Sequence, residues 1–160
     1  MSLKDAIVSA LRDQLLEELA TMSRIARVAA EAATHEENKP ENSKDMRSTE
    51  ASYVARGQAE RARDLEHSAT ELGAVDLHDF SGGKPVGVSA LVTLSSPQGT
   101  RTVFVLSVAG GRRVRVDGLE IQVVTPTSPM GQALMEMAEG DAIEVPTPQG
   151  LRIFELKNVC

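Results

Sequence analysis

Four carboxylates are concentrated in residues 34–45, which read THEENKPENSKD: Glu36, Glu37, Glu41 and Asp45. Oxygen ligands are those that Mg²⁺ prefers, and the ion keeps several of its waters, so one or two projecting carboxylates can hold it beside a second site. The segment also contains Pro40 and has no apolar periodicity, which is typical of a loop. Its composition is otherwise that of an ordinary solvated loop, and the flanking sequence must decide between these two interpretations.

The residues before this segment predict one long helix over residues 3–34, because they are rich in Ala, Leu, Glu and Arg and contain no Gly or Pro. The apolar positions alternate in steps of four and three, which indicates a coiled-coil seam. The seam changes from Leu to Ala towards the polar segment, so we expect the partner helix to approach closely there. Its members are Leu15, Leu19, Met22, Ala26, Ala29 and Ala33.

The residues after the polar segment repeat this pattern over about residues 46–72, with the small side chains again near the segment. Two mirrored seams predict an antiparallel helical hairpin whose tip is residues 34–45. Gly57 interrupts the second helix, and we expect close helix approach to explain it. The second seam comprises Ala51, Ala55, Gln58, Ala62, Leu65, Ala69 and Leu72.

Periodicity changes after Gly73, where short alternating runs separated by Gly and Pro predict strands. Ser128 followed by Pro129 predicts a helix start, because Ser accepts an otherwise unpaired N–H and Pro has none to leave unpaired. The chain is therefore predicted to be α+β: a coiled-coil hairpin domain at 1–73 and an antiparallel sheet domain with one short helix at 74–160. The expected strands cover residues 86–94, 102–108, 119–124, 142–145 and 151–159, and the helix covers 129–138.

Composition excludes several classes of function. The net charge is −6, which does not favour autonomous binding of nucleic acid. A single cysteine, Cys160, allows no internal disulfide, and neither a signal peptide nor an apolar run of membrane-spanning length is found, so we expect a soluble cytoplasmic protein with no membrane partner. Aromatic residues make up 2% of the chain, which argues against a pocket lined by aromatic rings.

The C-terminal stretch VTPTSPMGQALMEMAEGDAIEVPTPQGLRIFELKNV resembles that of the bacterial Gre transcript-cleavage factors, the GreA/GreB family. Both have Ser-Pro, a short helix, Gly-Asp, a strand, Thr-Pro-x-Gly and a final strand. The stretch VDLHDFSGGKPVGVSALVTL is similar to the family's first strands. The resemblance extends over nearly the whole chain and implies that the sheet domain is FKBP-like.

The tip resembles the family's Gly-Asp-Leu-x-Glu-Asn motif in part. Residues 30–32 read Ala-Glu-Ala, His35 follows, and Glu41–Asn42 matches the Glu-Asn pair. Counting back from that pair places Asn38 at the position of the family's Asp. Counting forward from His35 places Glu37 there instead, and the sequence leaves both registers open.

The resemblance implies a partner and a mechanism. The hairpin would enter the secondary channel of RNA polymerase, in indirect contact with nascent RNA and DNA, while the sheet domain docks at the rim. Glu41, with Glu37 second and Asn38 as a weak carbonyl ligand, would hold an Mg²⁺ shared with the polymerase active site. The chain would not be an enzyme and would have no cofactor of its own, since the polymerase itself cuts backtracked RNA.

Three other functions are weighed against this one. A hairpin with an altered tip could occupy the channel and regulate or inhibit polymerase without stimulating cleavage. A prolyl isomerase or chaperone is suggested by the FKBP-like domain, but residues 74–160 offer only Phe80, Phe104 and Phe154 for an aromatic pocket. A purely structural coiled-coil adaptor would not explain the acidic tip.

Overall fold

The computed structural model describes residues 1–36 and 44–160, and the side chains of residues 1–32 and 54–160. Two long helices come first, α1 at Leu3–Glu36 and α2 at Lys44–Gly73, which confirms both predicted helices. The start of α1 is a reciprocal cap: the Asp5 N–H donates to Ser2 Oγ at 3.2 Å, and the Asp5 carboxylate accepts from the Ser2 N–H at 3.0 Å. The hydrogen bonds from Ser2 lower the pKa of Asp5.

The chain forms two compact units. The sheet unit comprises Met1–Leu11 together with Glu71–Cys160, and the helical unit is Arg12–Thr70. The sheet unit thus includes the first turns of α1 as well as the strands. The division into domains 1–73 and 74–160 stays a prediction.

In the helical unit the two helices run antiparallel. Arg61 Nη2 of α2 lies 2.6 Å from Glu18 Oε1 of α1, and residues later in α1 share a groove with residues earlier in α2. Leu15, Leu65 and Ala69 are buried, so the predicted seam is confirmed at these positions. The exposed ion pair contributes at most about 1 kcal/mol, and the buried leucines dominate the packing.

The helical unit differs from expectation nearer to residues 37–43. Ala26, Ala55 and Gln58 are exposed and line a groove of about 220 Å³ between the helices. The predicted seam is therefore not buried at these three positions, in contrast to Leu15, Leu65 and Ala69. The close approach of the two helices near residues 37–43 stays a prediction.

Gly57 interrupts α2 at a position with open space around it. A Cβ built on Gly57 meets no heavy atom of the described residues within 4 Å, so close helix approach does not explain this glycine. We expect Gly57→Ala to raise the free energy of unfolding by about 1 kcal/mol, because Ala loses less backbone entropy in a helix. Urea denaturation followed by circular dichroism measures the change.

The matched control for that variant is Ala59→Gly, an exposed position two residues further along α2. It should lower the free energy of unfolding by a similar amount. A fall in stability on Gly57→Ala would contradict the open space found at this position.

Six strands form one sheet, in the order β3-β4-β2-β1-β6-β5. The neighbours are antiparallel, as predicted, except β2 and β4, which are parallel. After β2 the chain crosses to the edge of the sheet and forms β3. It then turns back as β4, which lies between β3 and β2 and is parallel to β2. The bounds are β1 Leu91–Ser96, β2 Gly99–Val105, β3 Arg113–Val116, β4 Leu119–Val124, α3 Pro129–Leu134, β5 Ala142–Thr147 and β6 Gly150–Val159.

Two predicted elements are shorter than expected for one shared reason. The Val86 carbonyl accepts from the Glu136 N–H at 3.0 Å, and the Val86 N–H donates to the Met137 carbonyl at 2.7 Å. This pairing holds the chain outside the sheet until Leu91, where β1 begins. It also ends α3 at Leu134, because Glu136 adopts a φ of 68° that no helix contains.

The core of the sheet unit lies on one face of the sheet and beneath α3, where thirteen residues form one buried cluster. The first turns of α1 also contribute buried side chains, Ile7 and Leu11. Lys4 fixes this part of α1: its Nζ donates to the His78 carbonyl at 2.6 Å and lies 5.0 Å from the centroid of the Phe80 ring. Burial lowers the pKa of Lys4.

Candidate functional site

The predicted tip site lies between the two long helices. Glu37, Asn38 and Glu41, the residues expected to act at the tip, lie outside the described residues. The structure places the last residue of α1 at Glu36 and the first of α2 at Lys44, directly on either side of them. The elements that must carry the tip are thus present as predicted, and the roles of the three residues stay predictions.

Among the described side chains of the helical unit, four large apolar ones face solvent. Leu16 is 45% exposed, Ile25 53%, Val28 58% and Val54 61%. Sequence analysis did not single them out, because none of them occupies a position of the predicted four-three seams. Single exposed apolar residues are common on protein surfaces and need no functional explanation by themselves.

The sheet unit contains a cleft that sequence analysis did not predict. Its volume is about 680 Å³, and it lies between the start of α3, the loop at residues 107–111 and the inward face of β5 and β6. Met130, Val145 and Phe154 supply apolar lining, while Thr125 and Thr147 supply hydroxyl groups. A volume of this size is typical of sites for small molecules or short peptide segments.

Two arginines, Arg101 and Arg152, line the cleft together with Phe154. Arg101 Cζ lies 5.6 Å from the ring centroid. Arg152 is two residues before Phe154 on β6, on the same face of the strand, since side chains alternate. The sequence could have indicated both arginines. Each lies two residues before a buried side chain in the same strand, Arg101 before Val103 and Arg152 before Phe154, and so on the same face of the sheet.

The wall of the cleft on the α3 side is held by close backbone packing. Ser128 caps the helix as predicted, because its Oγ accepts from the Gly131 N–H at 3.0 Å and donates to the Thr125 carbonyl at 2.7 Å. A Cβ added to Gly131 would lie 1.8 Å from the Thr125 carbonyl oxygen, so only glycine fits there. A Cβ on Gly110 would lie 2.7 Å from Thr125 Cγ2. The wall is therefore rigid.

Aromatic residues are sparse in this cleft. Phe154 lines the cleft. Phe104 is fully buried on the opposite face of the sheet, and Phe80 lies beside Lys4. The described residues thus form no box of aromatic rings, and this arrangement gives no support to the prolyl isomerase hypothesis.

Metal and membrane sites were sought in the same residues. Across residues 1–36 and 44–160 no group of three or more His, Cys, Asp or Glu side chains could hold a metal ion. Within those ranges, too, none of the helices combines the length and the apolar character that crossing a membrane requires. Cys160 is a free, half-buried thiol whose Sγ lies 3.8 Å from the Leu91 carbonyl oxygen.

Comparisons with known proteins find likeness at the level of solved structures. No protein-family model matches the sequence, and no curated protein sequence is significantly similar to it. A structure of the transcription factor Gfh1 is 22% identical, with 94% of this chain and 93% of that chain covered and a TM-score of 0.41. Gfh1 of Thermus aquaticus is 19% identical, with 94% of each chain covered and a TM-score of 0.41.

A third solved structure matches a smaller share of this chain. The prokaryotic transcription elongation factor GreA/GreB from Nitrosomonas europaea is 17% identical, with 72% of this chain and 94% of that chain covered and a TM-score of 0.36. The solved structures to which this chain is similar therefore include Gfh1 and GreA/GreB transcription factors.

Proposed function

We propose that this chain is a transcription elongation factor of the Gre type, which binds bacterial RNA polymerase in the cytoplasm. The observation that carries the proposal is the pair of long helices that end and begin directly beside the acidic segment at 37–43. The resemblance of the C-terminal stretch to the Gre factors supports it independently. The hairpin would enter the secondary channel, and residues 74–160 would dock on the polymerase surface.

The dimensions of the helices suit this role. With a rise of 1.5 Å per residue, α1 and α2 are about 50 and 45 Å long. A pair of helices this long can carry a short segment into a narrow passage of a large enzyme. The exposed side chains of Ile25, Val28 and Val54 would then contact the channel wall.

The donor set of the tip fits a shared Mg²⁺. Glu41 and Glu37 would offer carboxylate oxygens and Asn38 a carbonyl oxygen, all of the type that this ion prefers. A second Mg²⁺ about 3.5–4 Å from the first supplies charge stabilisation and water activation in two-metal hydrolysis. The chain itself would contribute ligands and position, and the polymerase would carry out the cleavage of backtracked RNA.

A second candidate function follows from one observation at the tip. In the register fixed by Glu41–Asn42, the neutral Asn38 stands where the Gre motif has an acid. The amide oxygen of Asn38 could still be a weak ligand of the ion, but it lacks the negative charge that an acid would place there. The chain would then be a weak cleavage factor at best, or would occupy the channel and regulate or inhibit polymerase without stimulating cleavage.

The experiment that separates these functions uses stalled, backtracked elongation complexes with 3′-extended RNA. Addition of the full chain should shorten the RNA from its 3′ end and restore elongation if cleavage is stimulated. Slower nucleotide addition without shortening of the RNA would support the second function, regulation or inhibition of polymerase without cleavage. Failure to co-elute with polymerase, with no effect on either reaction, would contradict both.

A matched variant controls for effects of net charge. Glu60 is an exposed acid of α2 outside the tip, so Glu60→Ala changes the charge of the chain by the same amount as a tip substitution. It should leave the outcome in both reactions unchanged.

A further inference from the structure

The cleft of the sheet unit has the properties of a ligand site. Its volume of about 680 Å³ falls within the range of about 300–1,000 Å³ that small-molecule sites occupy. Its lining combines apolar side chains, such as Met130, Val145 and Phe154, with hydroxyl groups and two arginines. None of the functions proposed for the tip uses it.

The charged residues of the cleft are of one sign. Among the described residues, Arg101 and Arg152 line it and no Asp or Glu does, although the chain as a whole carries a net charge of −6. Such a local excess of positive charge in an acidic protein favours an anionic occupant. Because the rest of the lining is largely apolar, the occupant must also bear an apolar group.

The bonding of two backbone N–H groups in the wall favours a carboxylate over a phosphate as the anionic group. The guanidinium fork itself matches two oxygens of either group. Phosphate sites commonly add free backbone N–H groups, but here the Gly131 N–H is bonded to Ser128 Oγ and the Gly111 N–H to the Val123 carbonyl.

We propose that this cleft binds a carboxylate attached to an apolar group. Arg101 and Arg152 hold the carboxylate, and the apolar group lies against Met130, Val145 and Phe154. The carboxylate can belong to a free apolar acid or to an acidic side chain beside an apolar residue in a peptide. This inference does not depend on the function proposed for the tip.

A structural role for Arg101 alone does not account for the cleft. Its guanidinium lies over the Phe154 ring, and that contact would shield the ring from water in any case. It explains neither the second arginine in the lining nor the open volume of the cleft. On the α3 side, the backbone packs closely at Gly131, where a Cβ would lie 1.8 Å from the Thr125 carbonyl oxygen.

The test is a titration of the full ¹⁵N-labelled chain, followed by the amide resonances of Gly110, Gly111 and Gly131. The probes are 4-phenylbutyrate, its neutral analogue 4-phenylbutan-1-ol and the capped tripeptide acetyl-Leu-Asp-Leu-amide. We expect saturable shifts of these amides with at least one carboxylate probe, and at least tenfold weaker binding of the alcohol. Whether the free acid, the peptide or both bind identifies the source of the carboxylate.

Variants assign the binding to the two arginines. Arg101→Gln and Arg152→Gln should each weaken binding of the carboxylate probe about tenfold, while binding of the alcohol should hardly change. The matched control is Arg115→Gln, an exposed arginine of β3 that does not line the cleft. Unchanged melting temperatures of the variants show that any loss is one of binding.

Any of four results would overturn the proposal. The alcohol could bind as tightly as the carboxylates, both arginine variants could bind like the parent chain, or the shifts could map to the exposed Leu151 and Ile153 instead of the cleft. Absence of saturable binding by every probe would overturn it as well.

Discussion

Replacement of Gly131 by alanine is expected to lower the free energy of unfolding by at least about 3 kcal/mol, the upper part of the range for overpacked sites. The added Cβ would lie 1.8 Å from the Thr125 carbonyl oxygen and 3.0 Å from Pro126 Cα. These are backbone atoms, so no side-chain rotation relieves the clash. The first turn of α3 would have to move, and with it the Ser128 cap.

The measurement is urea denaturation of the full chain, monitored by the far-ultraviolet circular dichroism of helix and sheet. Gly87→Ala is the matched control in the same unit, since a Cβ there meets only Phe80 side-chain atoms, the nearest being Cε1 at 3.2 Å. It should change the free energy of unfolding by less than about 1 kcal/mol. Equal midpoints for the Gly131 variant and the parent would rule out the close approach of α3 to residues 125–126.

This site shows which features could be predicted locally. The start of α3 follows from Ser128 and Pro129 alone, because a cap is made by residues within one turn. Its end does not, because Glu136 leaves the helix to pair with Val86, which is distant in the chain. The same contact shortens β1, so one non-local pair accounts for both errors of length.

The sheet shows the same limit at the level of topology. Alternating apolar residues predict strands, and five of the six strands described overlap the expected runs, whereas β3 at Arg113–Val116 was not among them. Their order and direction depend on the connections between them. The insertion of β4 beside β2 makes a parallel pair that no strand pattern encodes.

The two candidate sites differ in how far the sequence predicts them. The cleft is assembled from β2, α3, β5 and β6, and the significance of Arg101 and Arg152 emerges only when those elements meet. The tip is contiguous, so its acids and its two bordering helices can be read directly from the chain. The chemistry assigned to each tip residue still rests on the register against the Gre motif.

The second large effect concerns the tip, and it applies if the parent chain stimulates cleavage. Glu41→Ala should then abolish most of the stimulated cleavage while polymerase binding stays nearly intact. A carboxylate that holds an ion only in the reacting complex acts on the transition state, so its loss lowers the rate and leaves the affinity alone. Cleavage rates in backtracked complexes at saturating factor, together with co-elution with polymerase, measure the two quantities separately.

Two further variants decide between the registers. Glu37→Ala should reduce cleavage strongly if Glu37 occupies the position of the family's Asp, and should have no effect if Asn38 does. In the latter register Asn38→Asp should keep or raise the cleavage rate, because a second negative charge would stand beside the ion. Glu60→Ala again serves as the control for loss of one acid outside the tip.

The outcome for Glu41 decides whether the tip chemistry implied by the resemblance applies to this chain. If Glu41→Ala stimulates cleavage as well as the parent does, the assignment of ion binding to this residue is wrong in either register. If both Glu41→Ala and Glu37→Ala lose cleavage but retain polymerase, two acids act together at the tip. Loss of binding in these variants would instead place the acids in the docking contact, since a group that acts only on the reacting complex leaves affinity unchanged.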